Sequence, residues 1–313
     1  MPNKITELLG IKYPIIQGAM AQIGRHELAA AVSNAGGLGI ISSGGMTAEE
    51  LRQEIRDCKY LTDKPFAVNL LLKVKNIPEL VDVIIEEGVK IVTTGAGTPK
   101  LLMPLFKEHG ILVISVVPSV KLAQKMEELG VAAVVAEGME AGGHIGETTT
   151  MSLVPQVAQA VSIPVIAAGG IANGAGLVAA FALGASGVQL GTAFLVAEEC
   201  PVPLSYKEAI LAADDRATAV TGRSIGMAVR SLRTPIIEKY LEAEQNGASP
   251  QELEALTKGS LQKAVKEGDL NTGTFMAGQI SGLVTEIKPA KDIIEELVLD
   301  ANQVLANIEI PTL

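Results

Sequence analysis

Eight times along this chain, a short apolar and mostly β-branched run ends in a turn of small or polar residues and gives way to a stretch of amphipathic helical period. The runs are Tyr13 to Gln17, Gly39 to Ile41, Phe66 to Leu71, Val89 to Thr94, Ile111 to Val117, Ala132 to Ala136, Pro164 to Ala168 and Gly187 to Leu190. A run that is apolar without alternation suits a strand buried on both faces, and parallel strands of that kind need helical crossovers between them. Eight such units match the count that closes a barrel, so the expected fold is α/β, a TIM (β/α)8 barrel. A doubly wound sheet is the other arrangement open to alternating strands and helices. The helices carry their own punctuation: Thr47 stands as N-cap before Ala48-Glu49-Glu50, Pro118-Ser119 opens Val120 to Leu129, and Gly130 closes it.

After the eighth run the rhythm stops. Residues 198–268 are charged, helix-prone and strand-poor, with helices expected at Tyr206 to Ala213, Ile236 to Gln245 and Pro250 to Lys266. This reads as a small helical insertion after strand 8, dividing a barrel made of residues 1–197 and 269–313. The chain returns through Asn271 to Gln279 and ends in an amphipathic helix from Pro289 to about Ile308.

Composition narrows the class of protein. With 313 residues, 48% of them hydrophobic, the chain can bury one large core. Aromatic residues make up 3%, Trp is absent and the net charge is -10, which argues against nucleic acid as a partner. Cys58 and Cys200 have no paired spacing and no accompanying His, so neither a disulfide framework nor a metal site is expected; a reduced, cytoplasmic protein is. Met1 to Tyr13 has no apolar core of signal-peptide length. Met151 to Ala197 has no charged residue, yet Pro155, Pro164, Asn173 and Gln189 interrupt it, so it reads as strand, helix, strand in a core rather than as membrane sequence.

In a barrel the chemistry sits at the carboxyl ends of the strands. Those ends read Gln17-Gly18-Ala19-Met20, Ser42 to Gly45, Asn69, Thr93 to Gly97, Glu137 with Gly142-Gly143-His144, Ala168-Gly169-Gly170 and Gly191-Thr192. They offer backbone donors, small residues and isolated amides with almost no charge, which suits a planar, hydrogen-bonding cofactor. Gly169-Gly170 and Gly191-Thr192 follow the seventh and eighth runs, where barrels commonly hold a phosphate on backbone N–H groups. One of the three histidines, His144, lies in the glycine-rich turn after the sixth run and is the candidate for acid–base work. Read as a dinucleotide fingerprint, Gly169 to Gly176 fails the G-x-G-x-x-G register.

Pro14 to Met20, Asn34 to Gly39, Thr62 to Asn69, Glu137 to Gly146, Ile166 to Ile171 and Met276 to Gln279 together resemble the flavin-dependent enoyl-acyl carrier protein reductases of the FabK type, over essentially the whole chain. That group lies within the wider nitronate monooxygenase family of FMN-binding barrels, which shares the Ala-Gly-Gly-His motif. The resemblance implies FMN bound by Ala19, Met20, Asn69, Glu137, Gly143, Gly169, Gly170, Gly191 and Thr192 with the Met276, Gly278 and Gln279 return. It also implies ping-pong transfer of a hydride from NADH or NADPH, through the flavin, to Cβ of a trans-2-enoyl thioester in the last step of fatty-acid elongation. His144 would then donate the Cα proton or polarise the thioester carbonyl, and both roles stay open.

Nitronate oxidation by O2 on the same FMN is the alternative chemistry. A monovalent cation is an open addition to the cofactors, and a homodimer is the default assembly. Two departures from the pattern stand out: Ala19 and Gln22 where relatives carry Gly and Trp, and Met227 where many carry His. Acyl carrier protein, the implied partner, is acidic like this chain, so docking would need a local basic patch; Arg223, Arg230 and Arg233 within 217–237 form the candidate. His26 and His109 are expected to be solvated or helix-capping.

Overall fold

A computed structural model describes residues 3–309. The eight runs form eight parallel strands: β1 (Ile15–Gln17), β2 (Gly39–Ser42), β3 (Phe66–Leu71), β4 (Ile91–Gly95), β5 (Leu112–Val117), β6 (Ala133–Glu137), β8 (Val165–Ala168) and β9 (Gly187–Leu190). Between β6 and β8 lies the two-residue β7 (Gly143–His144). The sheet runs in the order β1-β9-β8-β6-β5-β4-β3-β2. It closes through a parallel bridge between Ile16 and Leu38 and through the buried amide of Gln17, which donates to the Ile40 carbonyl at 3.0 Å and accepts from Ile40 N–H at 3.2 Å. The fold is therefore the (β/α)8 barrel.

Two cores follow from the two faces of each strand. Ile16, Ile40, Ala67, Ile91, Ile114, Ala133, Val135, Ile166 and Ala168 fill the lumen, and Ile5 and Leu9 of the leading helix Lys4–Leu9 join them. That helix carries an Asn3 N-cap, whose side chain accepts from Ile5 and Thr6 N–H. The opposite faces of the strands bury Val68, Val92, Val113, Val134, Ala167 and Val188 against the outer helices. Strand alternation places Asn69, Thr93 and Glu137 in the lumen, in line with Ala67, Ile91 and Val135 and above them.

The caps read from the sequence form as expected. Thr47 makes a capping box with Glu50 ahead of Ala48–Leu61, and Ser119 caps Val120–Glu128. Several bounds differ by one or two residues: β1 starts at Ile15, because the chain at Tyr13 is still engaged with Gly36, and β4 starts at Ile91. The uncharged stretch holds more helix than expected: Thr150–Ala160, β8, Gly174–Ala182, β9 and Thr192–Leu195. No helix among the described residues is long and apolar enough to cross a membrane. Cys58 and Cys200 are buried free thiols, and burial pushes their pKa values up to about 12 and about 11.

The stretch after β9 differs most from expectation. Helices form at Leu204–Leu211, Pro235–Gln245 and Pro250–Thr257, but Gly259, at φ +76°, ends the last of these well before Lys266 and starts a separate turn at Ser260–Gln262. The segment is not strand-poor where it matters. β10 (Thr218–Thr221) and β11 (Val229–Leu232) form an antiparallel hairpin, and β11 pairs in turn with β7, Val229 opposite His144 and Arg230 opposite Gly143. The chain leaves and rejoins the barrel side by side, since Ala197 bridges to Lys288 and Glu198 N–H donates to the Lys288 carbonyl at 3.0 Å.

Candidate active site

The carboxyl ends of the strands surround a cavity of about 680 Å³. Ala19, Met20, Asn69, Glu137, Gly143, His144, Gly169, Gly170, Gly191, Thr192, Met276 and Gly278 all line it. Of the residues expected to bind the cofactor or act in catalysis, Gln279 alone does not, being exposed with its backbone N–H donating to the Glu140 carbonyl, and the strand-end residues Gln17, Ser42 to Gly45 and Thr94 also lie outside the lining. Residues nearly 260 positions apart in the chain converge because each sits at or beside a strand end.

Backbone geometry is distorted at this rim. Met20 (φ +47°) and Ala96 (φ +56°) are non-glycine residues in the left-handed region, and both line the cavity. That conformation costs a β-substituted residue of order 1–3 kcal/mol and persists where surroundings impose it, as at binding sites. Gly169 (φ +89°) shows why glycine stands there: a Cβ would lie 2.9 Å from the Gly138 carbonyl oxygen. Gly142 is packed against the returning segment, so a Cβ would meet Ala277 backbone at 2.7 Å.

The polar groups fall into two sets. One is fully engaged and holds the loops. Glu140 accepts from Thr150 N–H at 2.9 and 3.0 Å and from its hydroxyl at 3.0 Å, and the same hydroxyl lies 2.9 Å from the Gly169 carbonyl. The Thr192 hydroxyl accepts from Gly278 N–H at 2.8 Å, tying the 276–279 return to the end of β9. Buried Arg230 donates to the Met139 carbonyl and to the Thr218 hydroxyl.

The other set is left free. The backbone N–H groups of Gly170, Gly191 and Thr192 make no hydrogen bond within the described residues. Asn69 Nδ2 donates to the Thr93 hydroxyl at 2.9 Å and to the Thr93 carbonyl at 3.4 Å, and its Oδ1 accepts no hydrogen bond within the described residues. The Glu137 carboxyl is shifted by burial alone, up to about 7, with no hydrogen bond contributing. The exposed His144 side chain is held below the ordinary histidine value, first by desolvation and then by the nearby Lys73 charge, so the neutral imidazole prevails at pH 7.

Lys73, Glu140 and Thr150 of the site were not singled out in the sequence, and the turn Gly226-Met227-Ala228, noted there only for Met227 in place of His, forms one wall. Glu140 and Thr150 lay in the glycine-rich loop and the helix after it, but nothing local in the sequence marks them as partners. The basic patch expected of Arg223, Arg230 and Arg233 does not form as such. Arg230 is 5% exposed, its guanidinium turned to Met139, and Arg233 pairs with Glu238 at 2.6 Å. His26 begins a helix and bonds Glu54 at 2.9 Å rather than capping a C-terminus, whereas His109 does follow a helix end, after Met103–Glu108.

This architecture is that of a barrel enzyme with a cofactor-sized site at the strand ends, and comparison with known proteins places it more closely. The family model for nitronate monooxygenase matches residues 3–80 and 75–300. The chain belongs to the nitronate monooxygenase family, a family of flavin-dependent oxidoreductases. It is 50% identical to FabK from Thermotoga maritima, whose structure superposes with a TM-score of 0.94 over 98% of both chains. A probable nitronate monooxygenase from Staphylococcus saprophyticus is 36% identical, covering 97% of this chain and 99% of the relative. A (3aS,4S,5R,7aS)-5-hydroxy-7a-methyl-1-oxo-octahydro-1H-indene-4-carboxyl-CoA dehydrogenase from Rhodococcus jostii is 34% identical, covering 95% of each.

The residues present fit a flavin mononucleotide. Three unclaimed backbone donors at neighbouring strand ends β8 and β9 suit a phosphate without a Lys or Arg, and the free polar atoms of Asn69 and Glu137 suit the edge of a planar ring.

Proposed function

We propose that this protein is a flavin-dependent enoyl-acyl carrier protein reductase, taking a hydride from NADH or NADPH and giving it to a trans-2-enoyl thioester borne by acyl carrier protein. What carries the choice of substrate is the 50% identity to FabK over 98% of both chains, together with the placement of the site residues around one cavity. The CoA thioester named for the Rhodococcus jostii relative is of the same chemical type.

FMN, when bound, supplies the chemistry of accepting the hydride and passing it on to Cβ. Gly170, Gly191 and Thr192 would hold its phosphate, and Ala19, Met20, Asn69, Glu137, Gly143, Gly169 and the Met276–Gln279 return its remaining parts. Glu137, largely desolvated, is a carboxyl that can donate as well as accept near neutral pH. His144, at the mouth and without a protein partner, is the group available to the thioester carbonyl or Cα, and the β7–β11 pairing fixes the backbone that carries it. Met20, Leu195, Met276 and Ile280 give the cavity an apolar lining that excludes water from the transfer.

The test is anaerobic stopped-flow with the FMN-loaded protein. Bleaching of the flavin by NADH or NADPH, followed by recovery on adding crotonyl-CoA or an enoyl-acyl carrier protein, is the expected result. The family name and the Staphylococcus saprophyticus relative favour one other reading, nitronate oxidation. Flavin that the pyridine nucleotides barely bleach but a nitronate reduces would establish that reading in place of the reductase.

A further inference from the structure

We propose that Lys73 is an anion-recognition residue at the cavity rim, where it binds the phosphate-bearing part of an incoming substrate. The identity of that substrate rests on the reductase reading; the site itself rests on the geometry. Lys73 follows β3 and is the only lysine or arginine lining the cavity among the described residues. Within the described residues it makes no ion pair and no side-chain hydrogen bond, in a chain of net charge -10 with a surplus of carboxylates to pair with. Arg52 pairs with Glu86 and Glu87, and Arg56 and Lys59 with Glu87; Lys75 and Lys100 are unpaired like Lys73 among the described residues, but of these three only Lys73 lines the cavity.

Its position separates it from the free N–H donors already described. In the sheet order, β3 is three strands from β9 and four from β8, so Lys73 rises from the far side of the barrel. Eight strands about 4.8 Å apart give a barrel roughly 15 Å across, which keeps a phosphate on Gly170, Gly191 and Thr192 distinct from an anion at Lys73. Lys73 stands near enough to His144 for its charge to be felt there. An anion held by Lys73 would therefore bring its molecule to the mouth beside the imidazole. The shared chemistry is a pyrophosphate or phosphodiester, which the pyridine nucleotide carries in its dinucleotide bridge and the thioester carries in its phosphopantetheine arm or CoA.

The experiment compares wild type with Lys73→Met and Lys73→Glu in FMN-loaded protein, checking flavin content first. Binding of NADP+ and of CoA is measured by equilibrium dialysis, independently of turnover. Removing the ammonium is expected to weaken one or both by about tenfold, the scale of one lost charge-assisted hydrogen bond, with Lys73→Glu the worse variant. Kinetic selectivity gives a second readout. The preference for NADPH over the phosphate-free donor N-benzyl-1,4-dihydronicotinamide should narrow if Lys73 grips the nucleotide. The preference for crotonyl-CoA over crotonyl-N-acetylcysteamine should narrow if it grips the thioester.

Unchanged affinity for both ligands, wild type that binds neither, or an equal loss for phosphate-free and phosphate-bearing substrates would each overturn the proposal. Wild type that binds these ligands, loses them in Lys73→Met and yet never reduces crotonyl-CoA would support the site and overturn only the reductase reading.

Discussion

Arg230 donates from Nε and Nη2 to the carbonyl oxygen of Met139 at 3.1 and 3.0 Å, so a buried guanidinium on the β10–β11 hairpin grips the loop that ends in His144. No carboxylate pairs with it in the site. Its third contact is the Thr218 hydroxyl, at 3.0 Å, and its pKa is lowered chiefly by burial. The insertion is thereby joined to the candidate catalytic loop twice, through the ladder of β11 with β7 and through this side chain.

Replacing Arg230 by Met removes the fork while keeping much of the volume, and it strands a buried carbonyl and hydroxyl. A loss of about 2–3 kcal/mol is expected in urea unfolding, with a fall in turnover that exceeds any fall in FMN content. Lys in its place keeps the charge but cannot span two bonds to one oxygen with a rigid plane, so it should recover only part. Full stability and turnover in both variants would show that the hairpin ladder alone holds the loop.

Gly169 and Gly170 separate strain from collision. Both have positive φ, +89° and +75°, but a Cβ on Gly169 would lie 2.9 Å from the Gly138 carbonyl, whereas one on Gly170 has only ordinary contacts with Glu140 at 3.5 Å and beyond. Gly170→Ala should cost about 1–2 kcal/mol from conformation alone, and Gly169→Ala more, since the Gly138 to Ala141 loop must shift as well. Thermal unfolding and FMN absorbance per protein measure the two effects, and equal behaviour of the variants would contradict the collision.

Glu137 sets a pH dependence of stability. Its folded-state pKa is pushed up to about 7 by burial, above the ordinary 4.5, so between these values the folded state binds more protons than the unfolded chain. Stability from this group is full below about pH 4.5 and declines as pH rises through 7, by roughly 3 kcal/mol in total. In FMN-free protein, Glu137→Gln should remove that decline, making the variant the more resistant to urea at pH 8. Parallel curves for the two proteins from pH 5 to 8 would show that Glu137 titrates normally.

His144 titrates in the opposite sense. Desolvation, then Lys73, lowers its pKa below the ordinary 6.5, so the imidazole is neutral through pH 7 and 8. If it acts as a neutral hydrogen-bond donor to the thioester carbonyl, the rate of enoyl reduction rises with pH through a value below 6.5 and then holds level. A rate that falls across the same range would instead assign the imidazolium as proton donor. His144→Ala should lower the enoyl-dependent step by about 10²–10⁴-fold while flavin bleaching by NADPH keeps its rate. Equal slowing of both steps would place His144 in flavin binding rather than in the second step.

Much of this was legible along the chain because it depends on local periodicity. Strands buried on both faces must read as uninterrupted Val, Ile and Ala, and a turn that brings backbone close to a ligand must be built of residues like Gly169-Gly170. The alternation that points Ile91 and Val135 into the lumen also carries Thr93 and Glu137 to its upper rim. The hairpin was not legible in this way. Thr218–Thr221 and Val229–Leu232 are four-residue runs in a charged segment, and the strand that completes them is two residues long and lies about 85 positions before the strand it pairs with, His144 standing opposite Val229. Arg230 misled for a related reason, since a cation near other cations in sequence looks solvated until the carbonyl of Met139 is placed over it.

The amino-acid sequence by itself therefore determined the barrel, its helix caps and which residues stand at the strand ends, since these follow from side-chain period and turn chemistry within a few residues. Only the tertiary structure decided which polar groups are spent on the fold and which are left free. Glu140 is committed to Thr150 and Arg230 to Met139, while the side chains of Glu137, His144 and Lys73 have no hydrogen-bond or ion-pair partner among the described residues. The physical reason is that hydrogen-bond satisfaction and desolvation depend on what approaches from distant parts of the chain, and a residue's type and neighbours in sequence do not encode that approach.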